Sequence, residues 1–201
     1  MGRVVQRKSR DELWREVSRE VGGEFVGGGF CKGPKVRARV EPWTITLDSY
    51  TDTSSESHQQ YTRLRAPYVR REGFLFTIYR KGVFTDLGKR LGMQDIEVGA
   101  ADFDDAFVIQ GSDAIRIQKL FGDRDVRRLV LAQPKIRLEV KKQRGWPRPK
   151  VPDDVDVLQC MVPGVVKDAV RLKGLFDLFA TVLEQLCKIG SAERREPGVT
   201  L

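Results

Sequence analysis

Between Val36 and Arg80 the chain repeats one pattern: short runs of alternating apolar and polar residues, separated by glycine or polar turns. The runs are VRARV at 36–40, WTITLDSY at 43–50, a stretch from Gln59 to Tyr68, and GFLFTIYR at 73–80, with the polar turn TDTSSES before the third. A strand places successive side chains on opposite faces, so a period of two predicts an antiparallel meander with one face in water. Such a sheet needs a cover for its apolar face. From Gly164 to Ile189 the residues Val166, Val170, Leu172, Leu175, Phe176, Phe179, Val182, Leu183, Leu186 and Ile189 recur at helical spacing over a broad face. A long C-terminal helix is therefore expected, ended by Gly190.

The other elements follow from local chemistry. Ser9 and Glu12 stand at capping-box spacing and predict a helix start, with Leu13, Trp14, Val17 and Val21 on one face and Gly22–Gly23 at its end. Val83–Leu91 reads as a short helix or turn ended by Gly92, and Ala106–Gln110 as a buried strand. Asp113 and Asp123 are expected N-caps of two short helices, to Phe121 and Leu131. Lys135–Lys142 and Val155–Val162 read as strands. The expected object is one α+β domain over residues 9–190: an antiparallel sheet packed by a long C-terminal helix, with an N-terminal helix and short inserted helices. Residues 1–8 are expected as a disordered basic tail and 191–201 as a flexible one.

Composition narrows the function classes. The chain has 201 residues, 40% hydrophobic and 32% charged, which suits a globular protein with a substantial core. No run approaches the roughly 20 apolar residues of a membrane-spanning helix. Gln6 breaks the myristoylation pattern that Gly2 would begin. Three separated cysteines, Cys31, Cys160 and Cys187, argue for a reducing compartment, hence a cytoplasmic location. With a single histidine, His58, and no CxxC, a structural zinc is not expected. The formal charge of +8 lies on the flanks, since residues 73–133 are neutral by count.

Four segments could carry chemistry. Asp95, Asp102, Asp104 and Asp105 form an acidic cluster that could hold Mg²⁺ or Ca²⁺ or act as acid and base. The preferred reading is structural, with the aspartates capping turns and Phe103 plugging the core. The second segment is a basic loop. Lys135 to Lys150 holds seven Lys/Arg against Glu139, and Lys141, Lys142, Arg144, Arg148 and Lys150 surround Trp146 in GWPRP. Prolines stiffen it, and an aromatic between cations can stack on a base or sit at a headgroup boundary; a solvated hairpin tip is the structural alternative. Third, Arg63, Arg65, Arg70 and Arg71 could meet phosphates but read better as the wet face of a sheet. Fourth, GGEFVGGGFCKGPK at 22–35 fails the Walker pattern, because Lys32 precedes Gly33 and Pro34 follows it. It reads as a bulged or mobile connection between strands.

The central stretch MQDIEVGAADFDDAFVIQGSD, with VPGVVKDAVRLKGLFDLFATVLEQLCKIGSA later, resembles a loosely defined group of bacterial proteins of unknown function. In that group a GxxDI…G…FDxxFxIxGxD core precedes a strand pair and a C-terminal helix. The matching residues are Gly92, Asp95, Ile96, Gly99, Phe103, Asp104, Phe107, Ile109, Gly111 and Asp113, and the likeness spans about residues 73–192. It implies a bacterial, intracellular protein and carries no activity. The leading expectation is a non-enzymatic interaction module that presents residues 143–152 to a protein partner. The alternatives are electrostatic binding to nucleic acid or an anionic membrane, and a divalent-metal enzyme built on the aspartates. No cofactor is expected, and the broad face of the last helix would also serve a homodimer.

Overall fold

The structure is a computed structural model, which describes residues 8–29, 33–53, 58–83, 94–141 and 151–201. Its elements run α1 (Arg10–Glu20), β1 (Gly23–Val26), β2 (Lys35–Val40), β3 (Trp43–Asp52), β4 (Gln59–Val69), β5 (Phe76–Arg80), β6 (Gln94–Asp95) and α2 (Ala101–Ala106). They continue with β7 (Phe107–Gly111), α3 (Ala114–Gly122), α4 (Arg124–Leu131), β8 (Arg137–Lys141), β9 (Val155–Pro163) and α5 (Ala169–Lys188). The nine strands form one antiparallel sheet in the order β1-β2-β3-β4-β9-β8-β5-β7-β6. The fold is α+β, with the long C-terminal helix and the N-terminal helix that the sequence predicts.

Register explains the core. One transverse row reads Val36, Leu47, Leu64, Cys160, Leu138, Ile78 and Ile109, each facing the next across neighbouring strands. All seven are buried and belong to one cluster with Leu13, Trp14 and Val17 of α1 and Leu172, Leu175, Phe179, Val182 and Leu186 of α5. The helices therefore cover a single face of the sheet. Burying an aliphatic side chain of this size contributes about 1.5–3 kcal/mol, so this layer dominates the stability. Phe121 of α3 meets Phe76 edge to face at 5.6 Å and Phe103 at 5.8 Å, which ties α2 and α3 to the sheet. Most of the broad face of α5 packs inside the chain, from Leu172 to Leu186, while Val170, expected on that face, is exposed.

Local signals work as expected at several helix starts. The Ser9 hydroxyl accepts from the Glu12 amide at 3.3 Å while the Glu12 carboxylate accepts from the Ser9 amide at 2.8 Å. That contact to the Ser9 amide holds the Glu12 carboxyl below its ordinary pKa. Asp113, Asp123 and Asp168 accept from the first-turn amides of α3, α4 and α5.

Several expectations need correction. β5 does not continue a meander: β9 lies against β4, and β5 pairs with β8 and β7. The glycine-rich stretch includes a true strand, β1. A Cβ on Gly23 would fall 2.4 Å from the Arg37 carbonyl oxygen, so only glycine allows β1 to pair this closely with β2. Residues 101–106 form a short helix rather than a turn, with Phe103 fully buried as expected. α5 begins at Ala169, because Asp168 supplies the cap, while Gly164, at a φ of +79°, bridges to Tyr61 rather than starting the helix. The segment 191–201, expected as a flexible tail, makes packed contacts in the structure. Ala192 pairs with Arg70, the Glu193 amide donates to the Val69 carbonyl at 2.9 Å, and Leu201 is buried. Among the described residues no helix is long and apolar enough to cross a membrane. The expected helix or turn at 83–91 lies outside the described residues, apart from Val83.

Candidate interaction surface

The sheet face without helices carries the charge. Its central row reads Arg37, Thr46, Arg65, Gln159, Glu139, Thr77, Gln110 and Asp95 by register. In the neighbouring row Asp48 faces Arg63, followed by Met161 and Arg137. Asp48 accepts from Arg63 Nε at 2.8 Å and Nη2 at 2.8 Å, and from Arg65 Nη2 at 2.7 Å. The Arg63 guanidinium also lies 4.7 Å over the Tyr50 ring. Glu139 accepts from Arg137 at 2.7 Å and from the Gln159 amide at 3.1 Å.

Arg63 and Arg65 do share one strand face, as their spacing predicts, but that face is not wet. Their side chains are 19% and 14% exposed, and Asp48 only 7%. A charge this far from water persists only when paired, and Asp48 pairs two arginines at once. Arg63 and Arg65, which could have met phosphates, are engaged by a carboxylate of the same chain. Asp48, the third polar position of the run after Thr44 and Thr46, is the partner that strand periodicity alone does not flag.

The acidic cluster divides into separate jobs. Asp104 accepts from the amides of Val98, Gly99 and Ala100 at 3.0, 2.9 and 3.1 Å, so its carboxylate closes the turn before α2. Asp95 accepts from Gln110 Nε2 at 2.9 Å. Asp102 and Asp105 are exposed on α2. A cleft of about 460 Å³ brings together Lys81, Asp95, Glu97 and Asp104, with Lys81 Nζ donating to the Asp104 carbonyl at 2.8 Å. Among the described residues no three His, Cys, Asp or Glu side chains gather in a metal-holding group.

The two described thiols are withdrawn from water, Cys160 wholly and Cys187 in part. Cys160 lies in the apolar row, and burial pushes its thiol far up. Burial also raises Cys187, with Glu184 adding to it. His58 is exposed, and Cys31 lies outside the described residues.

Of the basic loop, Lys142, Arg144, Trp146, Arg148 and Lys150 also lie outside the described residues, and Lys141 closes β8 opposite Val157. Its two roots are well described. β8 and β9 pair from Arg137–Met161 to Lys141–Val157, in the middle of the sheet. β9 is buried from Val155 to Val162. At its start the Arg70 amide donates to the Asp154 carbonyl at 2.8 Å, and Arg195 pairs with the Asp154 carboxylate at 2.8 Å. The 142–154 segment therefore joins two strands paired in the middle of the sheet, one of them buried from Val155 to Val162.

A further cleft of about 470 Å³ lies where β1, β2 and β3 meet the C-terminal segment, lined by Gly22, Gly23, Glu24, Arg37, Arg39, Thr44 and Thr200. No sequence pattern singles it out, because Arg37 and Arg39 read only as the polar half of an alternating strand.

No family model and no curated protein matches the chain. Among solved structures it is similar in fold to the crystal structure of the mycobacterial trehalose monomycolate transport factor A, TtfA. The TM-score is 0.58 at 9% sequence identity, and the match covers 93% of this chain and 99% of that one. At that identity the likeness concerns the fold alone.

Proposed function

We propose that the chain is a non-enzymatic interaction domain that engages a macromolecular partner through the segment joining β8 to β9. Trp146 is the anchor, Arg144 and Arg148 flank it, and Lys141, Lys142 and Lys150 supply a basic surround. One observation carries the reading: both roots of this segment sit in the buried, centrally paired β8–β9 ladder. Binding residues concentrate on loops held by a rigid scaffold, because the scaffold removes much of the ordering cost. Trp and Arg are also the side chains that most often dominate interface energies.

The test is capture of partners from a bacterial lysate by tagged protein, nuclease-treated and washed at low and high salt, beside the Trp146→Ala variant. The expected result is a protein partner that survives both treatments and is lost with Trp146→Ala, an effect of about thirtyfold in affinity for a central aromatic anchor. Retention that disappears with salt or nuclease would move the reading to electrostatic binding of nucleic acid or anionic lipid. Undiminished capture by Trp146→Ala would refute the loop as the docking element.

A further inference from the structure

β2 alternates, so Val36 and Ala38 enter the core while Arg37 and Arg39 emerge together on the helix-free face. The two arginines differ in what they meet. Arg39 pairs with Glu41 at 2.6 Å. Arg37 stands opposite Glu24 in register, yet no carboxylate among the described residues lies within ion-pair reach of it. Its Nε is buried with no hydrogen-bond partner among the described residues, although the side chain as a whole is only half-buried. A guanidinium donor withdrawn from water and left without an acceptor is unfavourable, and such a group in a native protein calls for an explanation.

The surroundings supply one. Arg37 lines the 470 Å³ cleft, together with Arg39, the Thr44 side chain opposite Arg39, and Thr200 from the C-terminal segment. Gly22 and Gly23 form its end with no side chains to fill it, and Gly22 takes a φ of +63° that other residues adopt poorly. Glu24 is the one acidic side chain in the lining. Two cations, two hydroxyls and bare glycine backbone around one opening suit an oxygen anion. A guanidinium binds carboxylate or phosphate through two parallel hydrogen bonds.

We propose that this cleft binds an oxyanion, a carboxylate or phosphate group carried by a ligand, with Arg37 as the primary contact and Arg39, Thr44 and Thr200 beside it. The site is independent of the 142–154 segment: it involves different strands and a different class of ligand.

The experiment is an NMR titration of ¹⁵N-labelled protein with inorganic phosphate and, separately, with acetate, holding ionic strength constant with sodium chloride. The Arg37 Nε–H resonance should move along a saturating curve, with Gly23 and Thr44 amides following it. Saturation by phosphate alone assigns a phosphate-bearing ligand, by acetate alone a carboxylate, and by both a general oxyanion cleft; each supports the proposal. Arg37→Gln should weaken binding about tenfold or more, read from Gly23 and Thr44. Non-saturating shifts with both anions in the natural protein would overturn the proposal without recourse to any variant. An unchanged titration in Arg37→Gln would overturn it as well.

Discussion

The two faces of the sheet use the same strands and bury their centres to a similar degree, yet they are held by different physics. The helix side packs Val36, Leu47, Leu64, Cys160, Leu138, Ile78 and Ile109 in one continuous apolar row. The other side, one residue along each strand, carries Thr46, Arg65, Gln159, Glu139, Thr77 and Gln110. Dispersion and water release act without direction on the first face, so neighbours of similar volume substitute there at modest cost. The second face is directional: each buried charge needs a particular partner at a particular register position, and Asp48 serves two arginines. A one-residue slip of β4 against β3 would exchange the two faces and strand those charges. The charged face thus specifies register, while the apolar face supplies most of the stability.

That division is open to breakage in graded steps. The largest effect should come from Leu64→Ala at the centre of the apolar row, about 4 kcal/mol in chemical denaturation, from lost burial plus the cavity left under α5. Next, Asp48→Ala should cost about 3 kcal/mol, because Arg63 and Arg65 lose a buried carboxylate. Replacing Asp48, Arg63 and Arg65 together with apolar residues should recover much of that loss in the same assay; failure to recover it would mean that the network contributes net stability rather than register. Smaller again is Leu201→Ala, about 2 kcal/mol by thermal melting, since this side chain is buried where the Thr46 hydroxyl donates to the Leu201 carbonyl at 3.3 Å. A Leu201→Ala protein as stable as the natural one would return residues 194–201 to the role of a loose end.

What could be read from the sequence follows the range of the interactions involved. The Ser9–Glu12 box, the Asp113 and Asp123 caps and the stripe of α5 are local patterns within one or two turns, and the structure contains them. β9 between β4 and β8 could not be read, because pairing partners such as Leu64 and Cys160 are nearly a hundred residues apart and any apolar strand would match the same pattern. β1 was hidden by its glycines, which usually mark connections but here permit close strand contact. The C-terminal segment is rich in charge and so reads as solvated, while Pro197 and Leu201 in fact bury themselves. For the site, composition marks the basic loop, and periodicity puts Arg63 and Arg65 on one face. Neither shows that Asp48 engages both arginines while Arg37 has no such partner among the described residues, since that difference depends on side-chain positions across strands.

The most direct test sets Trp146→Ala beside Asp48→Ala, measuring partner capture and thermal midpoint for both, with capture done well below each midpoint. If the β8–β9 segment docks the partner and the charged face only builds the sheet, Trp146→Ala loses capture with an unchanged midpoint and Asp48→Ala keeps capture with a lowered one. The reverse pattern, with folded Asp48→Ala losing its partner and Trp146→Ala retaining it, would move the docking surface onto the charged face of the sheet and contradict this account.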